Sequence, residues 1–376
     1  MSAIEDGEML GQEALRRGGV WQCLHWLAAG RTTSEALAEA CLTAIERRNP
    51  ELNAFVDVRP DIVLDQAASA QHRRREGPIG RLDGIPVAIG SDTLGSVRIP
   101  ASYCGVFALK PTHGEISARG LVPAARRLDA VGILGRSVGD LVVMLQVLAG
   151  YDADDPRSRR RRVALQPPDW NPNHLHCGVL PNLASIGVEA PVIEVFEQAL
   201  AKLEHALHER TPLDFSDWPF QKMRRAGLLL MEAEMHNTFA EDLADTAHPV
   251  SKNFRTMLDY AARKSAADYA QADRILDFAV LKARRVFSRV DVLVLPTTPQ
   301  GAFPVDAPVP ASQADLTAFA SLSACPAVSI PMGTLPDGMP IGMQFVGAPG
   351  SDLRLLELAE VCASALDAAP AYPVGA

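Results

Sequence analysis

Gly84-Ile-Pro-Val-Ala-Ile89 runs without a break into Gly90-Ser-Asp-Thr-Leu-Gly-Ser96 and on into Val97-Arg-Ile-Pro-Ala101. The first piece is a short apolar run bounded by glycines, a pattern that predicts a buried strand. The second is small, polar and glycine-rich, and predicts a loop leaving the end of that strand. α/β folds place their ligand sites at such strand ends. A serine there can lie beside several unpaired backbone N–H groups, the donors that an acyl-transfer site needs for its oxyanion. On residue types alone, Ser, Gly and Thr between two elements more often form a plain connection.

Working outward, Thr32 with Glu35 reads as a capping box that opens a helix over residues 33–48. Leu37, Cys41, Ala44 and Ile45 share one face of it, and Asn49-Pro50 closes it. A second helix is predicted over 61–75, its basic end matching the negative pole of the helix dipole. Downstream, Cys104–Leu109 reads as a buried strand ended by Lys110-Pro111-Thr112. A helix over 138–149, a polar loop over 151–175 and a short strand at Cys177–Leu180 follow. An amphipathic helix is predicted over 191–209 and a mostly helical stretch over 220–289, where Met223, Met231 and Met235 are spaced like a core face. Asp291–Leu295 reads as a buried strand. Ala327–Met332 and Gly342–Val346 read as strands around a Pro336-Asp-Gly338 turn, and a last helix covers 353–366. Helices and strands alternate throughout, which predicts an α/β fold: one mixed β-sheet flanked by helices on both faces.

Composition excludes several function classes. The 376 residues are 48% hydrophobic and 22% charged with a net charge of −9, which disfavours steering toward nucleic acid or an anionic membrane. Arg157 and Arg159 to Arg162 form the local exception, but Asp152, Asp154 and Asp155 precede them, so a solvated loop of mixed charge is expected. Six scattered cysteines without paired spacing fit a reduced compartment. The opening Met-Ser-Ala-Ile-Glu-Asp has no apolar core of a signal peptide, and no apolar run reaches bilayer length, so a cytoplasmic location is expected. His174-x-His176-Cys177 resembles a metal cluster but lacks a fourth ligand. No metal or cofactor is expected.

The nucleophile-loop pattern Gly-x-Asp-x-small-x-Ser-aliphatic-Arg-x-Pro-small is that of the amidase signature family. Gly90, Asp92, Ser96, Val97, Arg98, Pro100 and Ala101 match it, and only Leu94 departs, standing where Gly or Ala is usual. Similar blocks follow in the same order: Cys104-Gly-Val-Phe107, Leu109-Lys-Pro-Thr112, Gly120-Leu-Val-Pro123, Leu128-Asp-Ala-Val-Gly132, Asp291–Pro299 and Gly338–Gln344. Upstream, Asn53-Ala-Phe55 and Gly84–Ala88 also resemble it. The resemblance implies a hydrolase of carbon–nitrogen (amide) bonds in which Ser96 attacks the carbonyl and the backbone N–H groups of Thr93, Leu94 and Gly95 face the oxyanion. Asp92 and Arg98 would order the loop. A small-molecule amide is the implied substrate, with no nucleic-acid or membrane partner and with a homodimer left open. The whole chain, 1–376, would be a single amidase-like domain.

The family also implies a lysine base and a relay serine, and both are absent here. The lysine normally follows the Ile-Pro-Val-Ala strand, but Ile89 is followed by Gly90 of the nucleophile motif, and no Gly-Ser-Ser-Gly-Gly occurs anywhere. One Pro86–Ile89 serves for two similar family strands. An in-frame loss between look-alike sequences, at about residues 89–90, or an error of gene assembly accounts for this. Lys110 and His113 are poor substitutes: the first reads as structural, the second as a surface turn histidine that could titrate near neutrality. The leading expectation is an impaired amidase. Its rivals are a catalytically dead remnant or binding protein, and an amidotransferase A-subunit-like protein. Loss of inner strands predicts exposed sheet edges and low stability.

Overall fold

A computed structural model describes residues 18–77, 80–159, 175–207, 209–247 and 250–370. Arg160 to Arg162, His174 and the first residues of the chain lie outside the described residues. The chain divides into two compact units: one takes the chain up to Ala88 together with Gly135–Val147, the other Ile89–Leu134 together with Leu148 onward.

The first unit is helical. α1 (Val20–Ala28), α2 (Ser34–Leu52), α3 (Pro60–Glu76) and nearly all of α5 (Val138–Leu148) belong to it. Cys23, Trp26, Leu27 and Leu37 pack with Ile85 into its core. Two details differ from the sequence reading. Thr33, not Thr32, caps α2, its Oγ1 accepting from the Ala36 N–H at 3.1 Å, while Thr32 is buried with an unpartnered hydroxyl. The helix also runs through Pro50 to Leu52 before Asn53 ends it in the left-handed region at φ 48°. Proline removes one N–H, a small loss two residues from a helix end.

The second unit carries a mixed sheet of eight strands in the order β1-β3-β2-β7-β8-β6-β4-β5. They are β1 (Ile89–Asp92), β2 (Phe107–Lys110), β3 (Ala130–Gly135), β4 (His176–Val179), β5 (Glu209–Pro212), β6 (Val292–Pro296), β7 (Ala327–Thr334) and β8 (Pro340–Gly347). β4 pairs parallel with β5 and β6, whereas β1–β3, β2–β7, β7–β8 and β6–β8 are antiparallel. Every residue of β6 is buried. Successive side chains point to opposite faces, so helices cover both faces of the sheet at its centre. α4 (Arg98–Cys104), α6 (Ala190–Lys202) and α12 (Asp352–Ala365) pack on it, while α7 (Phe220–Thr238), α9 (Lys252–Ala262), α10 (Ala266–Phe287) and α11 (Ala318–Leu322) pack among themselves and the short α8 (Ala240–Ala244) lies between α7 and α9 in the chain.

Gly84–Ile89 is not the buried strand that its apolar run predicts. Residues 85–88 pair with no strand, and only Ile89 enters β1, opposite Ile133. β1 is the sheet's edge strand, and Val87 and Ile89 are 42% and 56% exposed. An apolar run is buried as a strand only when neighbours cover it, and here one flank has none. Two short elements escaped the sequence reading for a similar reason. Arg98–Cys104 is helical, with Pro100 tolerated in the first turn where N–H groups lack partners anyway. The helix expected over 191–209 stops at Lys202, and Glu209–Pro212 becomes β5.

Candidate active site

β1 delivers Asp92 to the sheet edge, and the chain then turns through Thr93–Val97 into α4, whose first residue is Arg98. Both charged side chains are fully buried. Arg98 Nε donates to Asp92 Oδ2 at 2.9 Å and Nη2 donates to Oδ1 at 3.0 Å, the bidentate fork that suits a guanidinium and a carboxylate. Its remaining donors reach the Thr317 carbonyl at 3.0 Å, Gln344 Oε1 at 3.1 Å and Ser321 Oγ at 2.8 Å. Every N–H of the guanidinium is therefore used. Burial pushes the Asp92 carboxyl up, but the charge and hydrogen bonds of Arg98 outweigh it and hold the group below its ordinary value.

Two further bonds fix the loop from its sides. Thr317 Oγ1 donates to the Leu94 carbonyl at 2.6 Å. Thr93 Oγ1 donates to Asp129 Oδ1 at 2.7 Å, and Asp129 Oδ2 accepts from the N–H groups of Ala124 and Ala125 at 2.9 and 3.0 Å. Gly95 has φ +136°, and a Cβ there would stand 2.3 Å from Thr317 Oγ1, so glycine is required on both counts. With carbonyls and side chains so occupied, the backbone N–H groups of Thr93, Leu94 and Gly95 donate to no described residue. All three residues are buried. Unpaired buried N–H groups are rare and costly, and three in sequence offer donors to a negative oxygen. Ser96, next in the chain, is the exposed one, and its hydroxyl bonds to no described residue.

Neither substitute base is hydrogen-bonded to Ser96. Lys110 is 1% exposed and donates to the Pro111 carbonyl at 2.9 Å. Burial, with the nearby Arg98, pushes its amine down to about 8 against the pull of Asp92. His113 is not the surface histidine expected: burial, with Lys110 and Arg159, holds its ring down to about 4, so it stays neutral at physiological pH. His176 pairs with Glu209 across β4 and β5 at 2.7 Å. Among the described residues no three His, Cys, Asp or Glu side chains gather as metal ligands.

Sequence reading brought out Asp92, Arg98 and the three N–H donors, but not Thr317 or Ser321, which lie more than 200 positions away along the chain. Gln344 and Asp129 fell inside recognised blocks without a stated role. No local pattern announces a partner supplied by a distant element.

The whole stretch from the unpaired Ile85 through the loop to α12 matches the family described as Amidase, over residues 85–356. The chain belongs to the amidase family. Among its relatives is the A subunit of the glutamyl-tRNA(Gln) amidotransferase of Symbiobacterium thermophilum, 31% identical over an alignment of 304 positions, gaps included, that covers 73% of this chain and 62% of that protein. The amidase-family chain thus spans less than two-thirds of the length of the curated relatives it matches. Among solved structures, the allophanate hydrolase of Kluyveromyces lactis superposes with a TM-score of 0.66 at 26% identity, over 80% of this chain and 48% of that one. A bacterial aryl acylamidase of the amidase signature family shares the fold, with a TM-score of 0.80 at 17% identity over 92% and 96% of the two chains. No helix among the described residues is long and apolar enough to cross a membrane.

Proposed function

We propose that this chain is an amidase-type hydrolase of carbon–nitrogen bonds, in which Ser96 is the nucleophile and catalysis is impaired. One observation carries the reading: the loop locked by Asp92–Arg98 and Thr317 leaves the N–H groups of Thr93, Leu94 and Gly95 free beside an exposed serine. Ser96 Oγ would attack the amide carbonyl, form an acyl ester and release the amine, and water would then cleave the ester. Preorganised donors lower this barrier by holding the developing oxyanion. A serine hydroxyl also needs a base to take its proton. Neither Lys110, tied to Pro111, nor any other described side chain bonds to Ser96. Losing such a group costs about 10⁶ in turnover where the residues act as a unit.

The missing proton acceptor favours a second reading, a binding protein that keeps the scaffold without turnover. An amidotransferase A-subunit-like role, suggested by the relatives, would need the same absent lysine. We also take the whole chain as one amidase-like domain, shortened at about residues 89–90, in the cytoplasm. A fluorophosphonate probe separates the first two readings. Labelling of the pure protein that disappears in Ser96→Ala supports the nucleophile. A folded wild-type sample that stays unlabelled supports the binding protein.

A further inference from the structure

Apart from the nucleophile loop, the second unit has a cleft of about 570 Å³ with an unusual lining: four arginines (Arg119, Arg126, Arg127 and Arg157), His113 and no carboxylate. In a chain of net charge −9 the lining itself is basic, although carboxylates behind it partner three of the arginines. Three of the arginines are held from behind. Arg119 pairs with Asp152 at 3.0 Å, Arg157 Nε with Asp155 at 3.0 Å, and Arg127 with Asp273 and Asp277. Such pairs fix the side chains but leave N–H donors over, since a guanidinium has more donors than these contacts use. Arg126 is different. Its backbone N–H is anchored on Glu234 at 2.8 Å, yet its exposed guanidinium forms no ion pair with a described residue. An exposed surface arginine alone says little, but one set in a cleft whose lining holds three further arginines and no carboxylate lacks its counter-charge.

We propose that this cleft binds a small phosphate- or carboxylate-bearing molecule, with Arg126 as its uncompensated cation. Planar forks of guanidinium donors recognise both kinds of oxyanion. The wall is not remote from the nucleophile loop: Ala124 and Ala125, adjacent to Arg126, are pinned to Asp129, which also holds Thr93. The segment that carries Arg126 is therefore tied through Asp129 to the loop.

Calorimetric titration of the whole protein at constant ionic strength tests this without any activity, so it stands or falls apart from the role of Ser96. Inorganic phosphate and succinate are the two probes. Saturable binding of one of them by the wild type is expected, weakened about tenfold in Arg126→Ala and less in Arg126→Lys. Arg75→Ala, which removes a charge at the end of α3, should bind like wild type. Phosphate binding alone points to a phosphate ester, succinate binding alone to a carboxylic acid. If neither binds more tightly than about 10 mM, or if Arg126→Ala and Arg75→Ala bind equally, the proposal fails. Circular dichroism of each variant establishes that it is folded, which the exposure of Arg126 leads us to expect.

Discussion

Arg98 grips both carboxylate oxygens of Asp92, at 2.9 and 3.0 Å, with neither side chain reachable by solvent. The two charges are six residues apart, at the end of an edge strand and the start of a helix, so their union shapes everything between them. Breaking the pair from one side would leave a buried charge alone. Arg98→Met should therefore cost about 3–5 kcal/mol in urea unfolding. Arg98→Lys should recover little of it, because an ammonium cannot reproduce the fork.

The same pair sets an acid limit. Asp92 has its folded pKa below the unfolded value of about 3.9. Its contribution is thus fully present above that value and is lost as pH falls through the lower folded one. Urea midpoints should drop below about pH 4, and the part due to this residue should vanish in the Asp92→Asn, Arg98→Met double variant.

Lys110 works in the opposite range. Its folded pKa of about 8 lies below the ordinary lysine value of 10.5, so between them the unfolded chain binds the extra proton. Stability should therefore rise with pH across that window. Lys110→Met should flatten the rise and be neutral or stabilising near pH 7, as measured by urea midpoints at several pH values. A large loss in that variant would mean that the bond to Pro111 matters more than the desolvated charge.

Gly95→Ala forces a side chain into a left-handed φ and onto Thr317 Oγ1. A cost of about 1–3 kcal/mol is expected in thermal unfolding, with loss of the Thr317–Leu94 bond. Thr317→Val removes that bond and the longer one to the Ala314 carbonyl at 3.3 Å, and should cost about 1 kcal/mol. Ser96→Ala, at an exposed hydroxyl that bonds to no described residue, should stay within about 0.5 kcal/mol of wild type.

Edge strand β1 offers unpaired backbone beside exposed Val87 and Ile89. Such edges invite pairing with other chains, and a charge placed on them opposes it. Ile89→Lys should lower light scattering of concentrated samples without lowering the unfolding midpoint. Increased scattering would show that Ile89 is covered in solution.

The family, the α/β alternation and the strands at the sheet centre were legible in the sequence, because they rest on local periodicity and on contiguous motifs. Val292–Pro296 is buried along its whole length and Ala327–Thr334 along all but its last two residues, and both have neighbours on each side, so pattern and environment agree. The identities of Asp92, Arg98 and Ser96 came from one short motif, whose spacing survives any change elsewhere in the chain. Tertiary structure alone decided that Gly84–Ala88 is no buried strand, that His113 is half-buried with its ring held neutral, and that Thr317, Ser321 and Gln344 complete the hydrogen bonding of Arg98. Burial belongs to a residue's surroundings rather than to the residue, and those surroundings are supplied by segments hundreds of positions away.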